Sequence, residues 1–299
     1  MTAGGSLAEL LDVVQREVVA RMPDTARARR LVAALREAAP DPDRPVDADA
    51  CARLTEAGRR EARALALTFQ PDAKAAEAGR AQSGEETTGD AVPGPDPAAV
   101  RRRGASVTSV TRDADGLATI ALDALDDLAA AAPYVDAAFA LVRGCRALVL
   151  DLRANRGGDP STGALVIGWL LGGARVPLST IVFADRERPL WTPGLRSDRE
   201  LAATPVAVLT SARTYAAAEG LAYHLRARRR AAVVGEPTAG AADEVTGVRL
   251  TPHVRGLLPC GHVVDARTGG NWEGAGVEPD VACPAAEAPA RARALLASG

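Results

Sequence analysis

Leu150-Asp151-Leu152-Arg153-Ala154-Asn155-Arg156-Gly157-Gly158 is the stretch on which the fold turns. Residues 147–152 are apolar except for Asp151, the pattern of a strand buried on both faces. Past two glycines and Asp159-Pro160, residues 161–171 form an apolar run that reads as a buried helix. A loop that leaves such a strand and enters a helix can gather backbone N–H groups near a positive helix end. Paired glycines let that backbone come close to a bound carbonyl. Gly157 and Gly158 are therefore candidate oxyanion-hole donors, a role in which one N–H is worth about 3 kcal/mol of transition-state stabilisation. The plainer alternative is an ordinary glycine turn with Ser161 as the helix cap.

Downstream the pattern repeats. Residues 206–210 read as a second buried strand, 216–228 as a helix and 231–234 as a third strand. Between them lies Arg213-Thr214-Tyr215-Ala216-Ala217-Ala218-Glu219, where the Ala217 N–H opens the helix and is a third candidate hole donor. Upstream, residues 106–111 and 117–122 form a hairpin around Asp113-Ala114-Asp115-Gly116, and 123–143 a helix. Strand–helix alternation with apolar strands predicts an α/β core with much parallel pairing.

The N-terminal third differs. Leu7, Leu10, Leu11, Val14 and Val18 recur at helical spacing, a break follows at Pro23-Asp24-Thr25, and Leu31, Val32 and Leu35 continue the period. A third helix is expected from Leu54 to about Leu65. Residues 71–99 lose their large apolar side chains and end in Pro93-Gly94-Pro95-Asp96-Pro97, the composition of a flexible linker. The expected layout is a helical domain over 1–70, that linker, an α/β core over 100–286 and a helical tail over 287–299.

The 299 residues are 47 % hydrophobic, enough for a packed core. With 36 basic against 38 acidic residues, net charge -2, no electrostatic case exists for a nucleic-acid partner. Cys51, Cys145, Cys260 and Cys283 are widely spaced and form no Cys-x-x-Cys pair, which argues against a zinc or redox motif. Cys145 reads as a buried small hydrophobe. Met1–Leu11 has neither a basic leader nor an apolar core, and the longest apolar run, 164–171, is too short for a bilayer. The expectation is a cytoplasmic protein with no membrane partner, no metal and no cofactor.

Together the two strand–loop stretches resemble the tail-specific (C-terminal processing) serine proteases. The tail Asn271-Trp272-Glu273-Gly274-Ala275-Gly276-Val277-Glu278-Pro279-Asp280 is similar to that family's interphotoreceptor retinoid-binding-protein-like branch. The resemblance covers about residues 105–285 and implies a crotonase/ClpP-like β-β-α core of the tail-specific protease type. It implies that the third residue after Arg213 is the nucleophile position, which here holds Ala216. It implies that Glu273 corresponds to a glutamate that assists the charge relay. One branch takes its base from a lysine in a Gly-Lys-Gly turn after Glu-Pro-Thr. Here the run is Gly235-Glu236-Pro237-Thr238-Ala239-Gly240-Ala241-Ala242, with alanine in the lysine position. The other branch uses an N-terminal histidine in an Asp-x-His-Leu run, whose best match here is Ala62-Arg63-Ala64-Leu65. His224, His253 and His262 all lie downstream of the hairpin.

Each remaining candidate has a plain alternative. Ser211, Thr214 and Tyr215 carry hydroxyls near Ala216, with capping and strand-end roles as the simpler reading. Tyr215 and His224 are possible acid–base groups, although a surface or partly buried structural place suits His224 better. Trp272 and Glu273 serve packing and capping equally well. Three functions stay open. The first is a catalytically silent homologue binding a peptide or small apolar ligand in the old cleft. The second is an active peptidase whose nucleophile was changed to Ala216. The third is a cyclase, lyase or isomerase that reuses the hole, with Glu273 or Tyr215 as its acid–base group.

Overall fold

A computed structural model of the chain describes residues 5–71, 96–195 and 200–297. These residues divide into two contact units. One takes residues 5–71, Val182–Glu187 and Asp243–His262; the other takes 96–181, 188–195, 200–242 and 263–297.

In the first unit, α1 (Leu7–Arg21) and α2 (Thr25–Glu37) are the two amphipathic helices read from the sequence. Ser6 and Glu9 cap α1 reciprocally, and Asp24 caps α2 through the Arg27 N–H. The third helix differs from expectation. α3 runs Ala48–Gly58 because Asp47 caps it early, accepting the Ala50 N–H at 2.7 Å. Gly58 ends it under Leu31, Leu35 and Leu65, where a Cβ would collide. The chain then enters a strand, β1 (Ala66–Phe69), in place of a continued helix. Leu10, Val14, Leu31, Leu35, Leu54 and Leu65 form the core with Leu250, Val254 and Leu258. The unit thus does not stop at residue 70.

The second unit opens with a short helix, α4 (Pro97–Arg102), capped by Asp96 with proline in its first turn. The expected linker over 71–99 therefore ends sooner, and its residues 72–95 lie outside the described residues. β2 (Val107–Arg112) and β3 (Leu117–Leu122) form the expected hairpin. After α5 (Leu128–Leu141) come β4 (Ala147–Asp151) and α6 (Pro160–Leu170). Asp159 caps α6, accepting the Ser161 N–H at 2.8 Å, so Ser161 is not the cap.

The next hairpin, β5 (Pro177–Phe183) with β6 (Glu187–Trp191), gave no readable sequence pattern. There follow a short helix α7 (Glu200–Ala203), β7 (Val206–Thr210), α8 (Ala217–Ala227) and β8 (Ala232–Gly235). Two long strands, β9 (Glu244–Thr251) and β10 (Val254–Asp265), were likewise unforeseen, and β10 pairs antiparallel with both β9 and β1. β11 (Val281–Ala282) and α9 (Ala288–Ala297) close the chain.

The sheet that carries the site runs β11-β8-β7-β4-β3-β2 and is parallel from β11 to β3. Its central strands β4 and β7 are almost wholly buried, as apolar parallel strands must be. Ala288, Ala292 and Leu296 of α9 cover the face bearing Ala147, Val149, Ala207 and Leu209. α6 packs on α8 and on α5. The fold is mixed α/β. No described helix is long and apolar enough to cross a membrane.

Candidate functional site

The loops after β4 and β7 are tied together by their own polar side chains. Thr214 Oγ1 donates to the Leu152 carbonyl at 2.9 Å, and Ser211 Oγ to that of Arg153 at 2.7 Å. The Tyr215 N–H reaches the Asn155 carbonyl at 3.1 Å. Ser211 and Thr214 thus serve as loop fasteners. Asn155, fully buried, donates to the Leu122 carbonyl and accepts the Gly157 N–H, each at 2.9 Å.

That last bond corrects one expectation. The Gly157 N–H is spent inside the loop and is not available as a hole donor. Gly157 matters for proximity instead. A Cβ there would lie 2.7 Å from the Tyr215 carbonyl oxygen, 2.9 Å from Ala216 Cβ and 3.1 Å from the Ala217 nitrogen. Only a glycine lets these loops meet. Gly158 has φ +134°, and a side chain on it would run into the Leu125 carbonyl. Among the described residues, neither the Gly158 N–H nor the Ala217 N–H has an acceptor; Gly158 is exposed and Ala217 half-buried. Two of the three expected donors are therefore open to a ligand.

Ala216 stands between strand and helix with φ 51° and ψ -120°. A residue with a Cβ is strained in that conformation by about 1–3 kcal/mol. The Ala216 N–H donates to Glu219 Oε2 at 2.8 Å. Glu219 is fully buried, and its two oxygens also take Thr238 Oγ1 (2.5 Å), Gly240 N (2.6 Å) and Ala241 N (2.9 Å). Burial raises its pKa, while the Thr238 hydroxyl and the Gly240, Ala241 and Ala216 N–H groups pull the other way. Glu219 closes the 213–219 stretch and carries no expected role there. Its position three residues after Ala216, at capping-box spacing, was the available signal.

Glu273 performs the same service one residue further on, accepting the Ala242 N–H at 2.7 Å. Trp272 Nε1 donates to the Ala241 carbonyl at 3.1 Å, and its ring lies over Gly220, where a Cβ would approach it to 2.9 Å. The Gly274 N–H joins the Gly240 carbonyl at 2.8 Å. Residues 238–242 are thus held by Glu219 and by the Trp272-Glu273-Gly274 turn. Tyr215 is half-buried.

His224 is not at the surface. It is 3 % exposed, with Nδ1 2.7 Å from Asp265 Oδ2, inside α8 two turns beyond Ala216. Burial lowers its pKa, with the Asp265 carboxylate opposing. Asp265 in turn is held below the usual carboxylate range: burial would raise it, but His224 and the Thr268 and Arg267 N–H groups outweigh that. His253 and His262 belong to the first unit, where His253 Nδ1 lies 3.1 Å from the Gln70 carbonyl. Among the described residues no group of three or more His, Cys, Asp or Glu side chains could hold a metal ion.

A family model for peptidase family S41 matches residues 117–283, more than half of the chain. The chain belongs to peptidase family S41. As an S41 member it is similar in structure to a putative peptidase from Parabacteroides merdae, at TM-score 0.65 and 15 % identity, over 94 % of this chain and 90 % of that one. A lipoprotein from Streptococcus agalactiae matches at TM-score 0.59 and 16 % identity, over 98 % and 96 %. The photosystem II D1 C-terminal processing protease matches at 0.53 and 19 %, over 93 % of each chain. These likenesses show that the S41 chain shares its fold with a tail-specific protease.

Proposed function

We propose that this S41 member has lost peptidase chemistry and holds a carbonyl-bearing ligand, a peptide or small apolar molecule, at the Gly158 and Ala217 N–H groups. The observation that carries the reading is the Ala216 backbone. Its φ of 51° and ψ of -120° at a strand-to-helix turn are those of a nucleophile elbow, yet the side chain is a methyl group. Strain of this kind persists only where the surroundings impose it, and here Glu219, Gly157 and the Tyr215–Asn155 bond do so. On this reading Ala216 occupies the nucleophile position and Ala239–Ala242 the segment where a base lysine would stand. The turn keeps its two open donors and has no lone pair with which to attack.

A peptidase with only its nucleophile altered would need a base within reach of position 216, and His224 lies buried about two turns along α8 from it. A lyase or isomerase would take Glu273 or Tyr215 as acid–base group; Glu273 Oε2 already accepts the Ala242 N–H, and Tyr215 is half-buried in the loop that Asn155 fastens. Both alternatives therefore rank below the silent binder. Placement in the cytoplasm rests on the sequence alone.

The deciding experiment compares the protein with Ala216→Ser on a fluorogenic peptide and ester panel, with fluorophosphonate labelling read by intact mass. Neither protein should label or turn over, while peptides and apolar carbonyl compounds should still bind. Labelling at position 216 with turnover in the serine variant would overturn the reading, because it would reveal a competent base.

A further inference from the structure

A second site lies at the carboxyl edge of the parallel sheet. A cavity of about 330 Å³ opens beyond the C-terminal ends of β3, β4, β7 and β8. In open α/β sheets this is the edge where ligands bind, and the volume is at the small end of ligand pockets. Asp123, Asp151, Arg153, Arg213 and Glu236 line it.

Three of these charges are already fixed. Arg153 grips Asp151 through two bonds, at 2.9 and 2.7 Å, and donates to the Ala285 carbonyl at 2.8 Å. Glu236 accepts the Ala212 and Ala285 N–H groups at 3.2 and 3.0 Å. They form a rigid polar wall.

Asp123 and Arg213 differ. Both are exposed, they carry opposite charge and they face the same cavity, yet no ion pair joins them. Among the described residues the Arg213 guanidinium has no partner at all, and the Asp123 carboxylate accepts only the Thr108 hydroxyl, at 3.4 Å. A simple anion would share the lining with Asp123 and Glu236, and a simple cation would share it with Arg213. A ligand with both charges answers both.

We propose that this cavity binds a zwitterionic α-amino acid, its carboxylate on Arg213 and its ammonium on Asp123. Arg213 offers the planar fork that suits a carboxylate, and Asp123 accepts from the ammonium. The site is independent of the reading of Ala216.

The test is calorimetric titration of the full chain with the common L-amino acids. For each that binds, its amide (no carboxylate) and its N-acetyl derivative (no ammonium) are then titrated. At least one amino acid should bind, and each derivative should bind about tenfold or more weakly, a loss of about 1.4 kcal/mol. Arg213→Gln should lose about the same factor and stop distinguishing acid from amide. Asp123→Asn should stop distinguishing amine from N-acetyl. Both positions are exposed, and unchanged unfolding midpoints would confirm that the variants fold. The proposal is overturned if no amino acid binds at millimolar concentration, if one derivative binds as well as its parent, or if both variants bind like the unmodified protein.

Discussion

The Glu219 carboxylate accepts the Ala216 N–H at 2.8 Å, so a buried acid in the first turn of α8 holds the strained residue that precedes it. The same carboxylate takes donors from Thr238, Gly240 and Ala241, making one side chain the fastener between elbow and facing loop. Removing it would orphan buried donors on two segments at once.

Glu219→Ala should therefore cost about 3 kcal/mol or more in urea unfolding. Glu219→Gln should recover only part of this, because its amide nitrogen would face groups that themselves donate. A loss below about 1 kcal/mol for the alanine variant would show that water replaces the carboxylate without penalty.

At Ala216 the usual glycine penalty should reverse. Ala216→Gly relieves the positive-φ strain and should leave stability level or raise it by about 1 kcal/mol. Ala216→Val adds a β-branched side chain at the same φ and should lose about 2 kcal/mol or more. Equal destabilisation by both variants would refute a strained elbow.

The two glycines of the loop after β4 should not be equivalent. Gly158→Ala drives its methyl into the Leu125 carbonyl, whereas Gly157→Ala meets the Tyr215 oxygen at 2.7 Å. Thermal unfolding should show the larger fall for position 158. Gly274→Ala, with open space around it, serves as the control, since only its φ of +79° opposes a side chain.

His224 supplies a pH dependence. Its folded pKa lies below the ordinary histidine value of 6.5, chiefly through burial. As pH falls below 6.5 the unfolded chain takes up a proton that the folded chain refuses, so stability is present above that pH and declines beneath it. Asp265, also lowered, acts in the same direction at still lower pH. Glu219, raised by burial, has the opposite sign: its contribution is full below 4.5 and falls as pH rises through its folded value. Going from about pH 7.5 to about pH 5.5, the urea midpoint of the unmodified protein should fall relative to that of His224→Gln, which keeps the Glu219 contribution. A midpoint shift of equal size in both would exclude His224 as the source.

Thiol reactivity offers a direct check on burial. Cys51 is 1 % exposed and its thiol is pushed up to about 11 by burial, while Cys145, also buried, is raised as well. Cys260 and Cys283 are half-exposed. Iodoacetamide under native conditions should label those two first by mass spectrometry. Early adducts on Cys51 would mean that the packing of α3 is looser than described.

Residues 147–152 and 206–210 declared the α/β core unaided, because a strand buried on both faces writes its environment into every side chain. The same local legibility placed α1, α2, α6 and α8, and it singled out Gly157, Gly158 and Ala217 as one neighbourhood. β5, β6, β9 and β10 were not legible. Their faces are only half-covered, and in β10 the register shifts at Pro259/Gly261 and one of its partners, β1, lies almost two hundred residues back along the chain. Only the tertiary structure distinguishes the N–H groups: the Asn155 side chain takes that of Gly157, and among the described residues those of Gly158 and Ala217 stay open. It alone paired His224 with Asp265 and gave Glu219 its four donors. Periodicity reports how deeply a residue is buried, whereas a hydrogen bond depends on which distant segment folding brings opposite it.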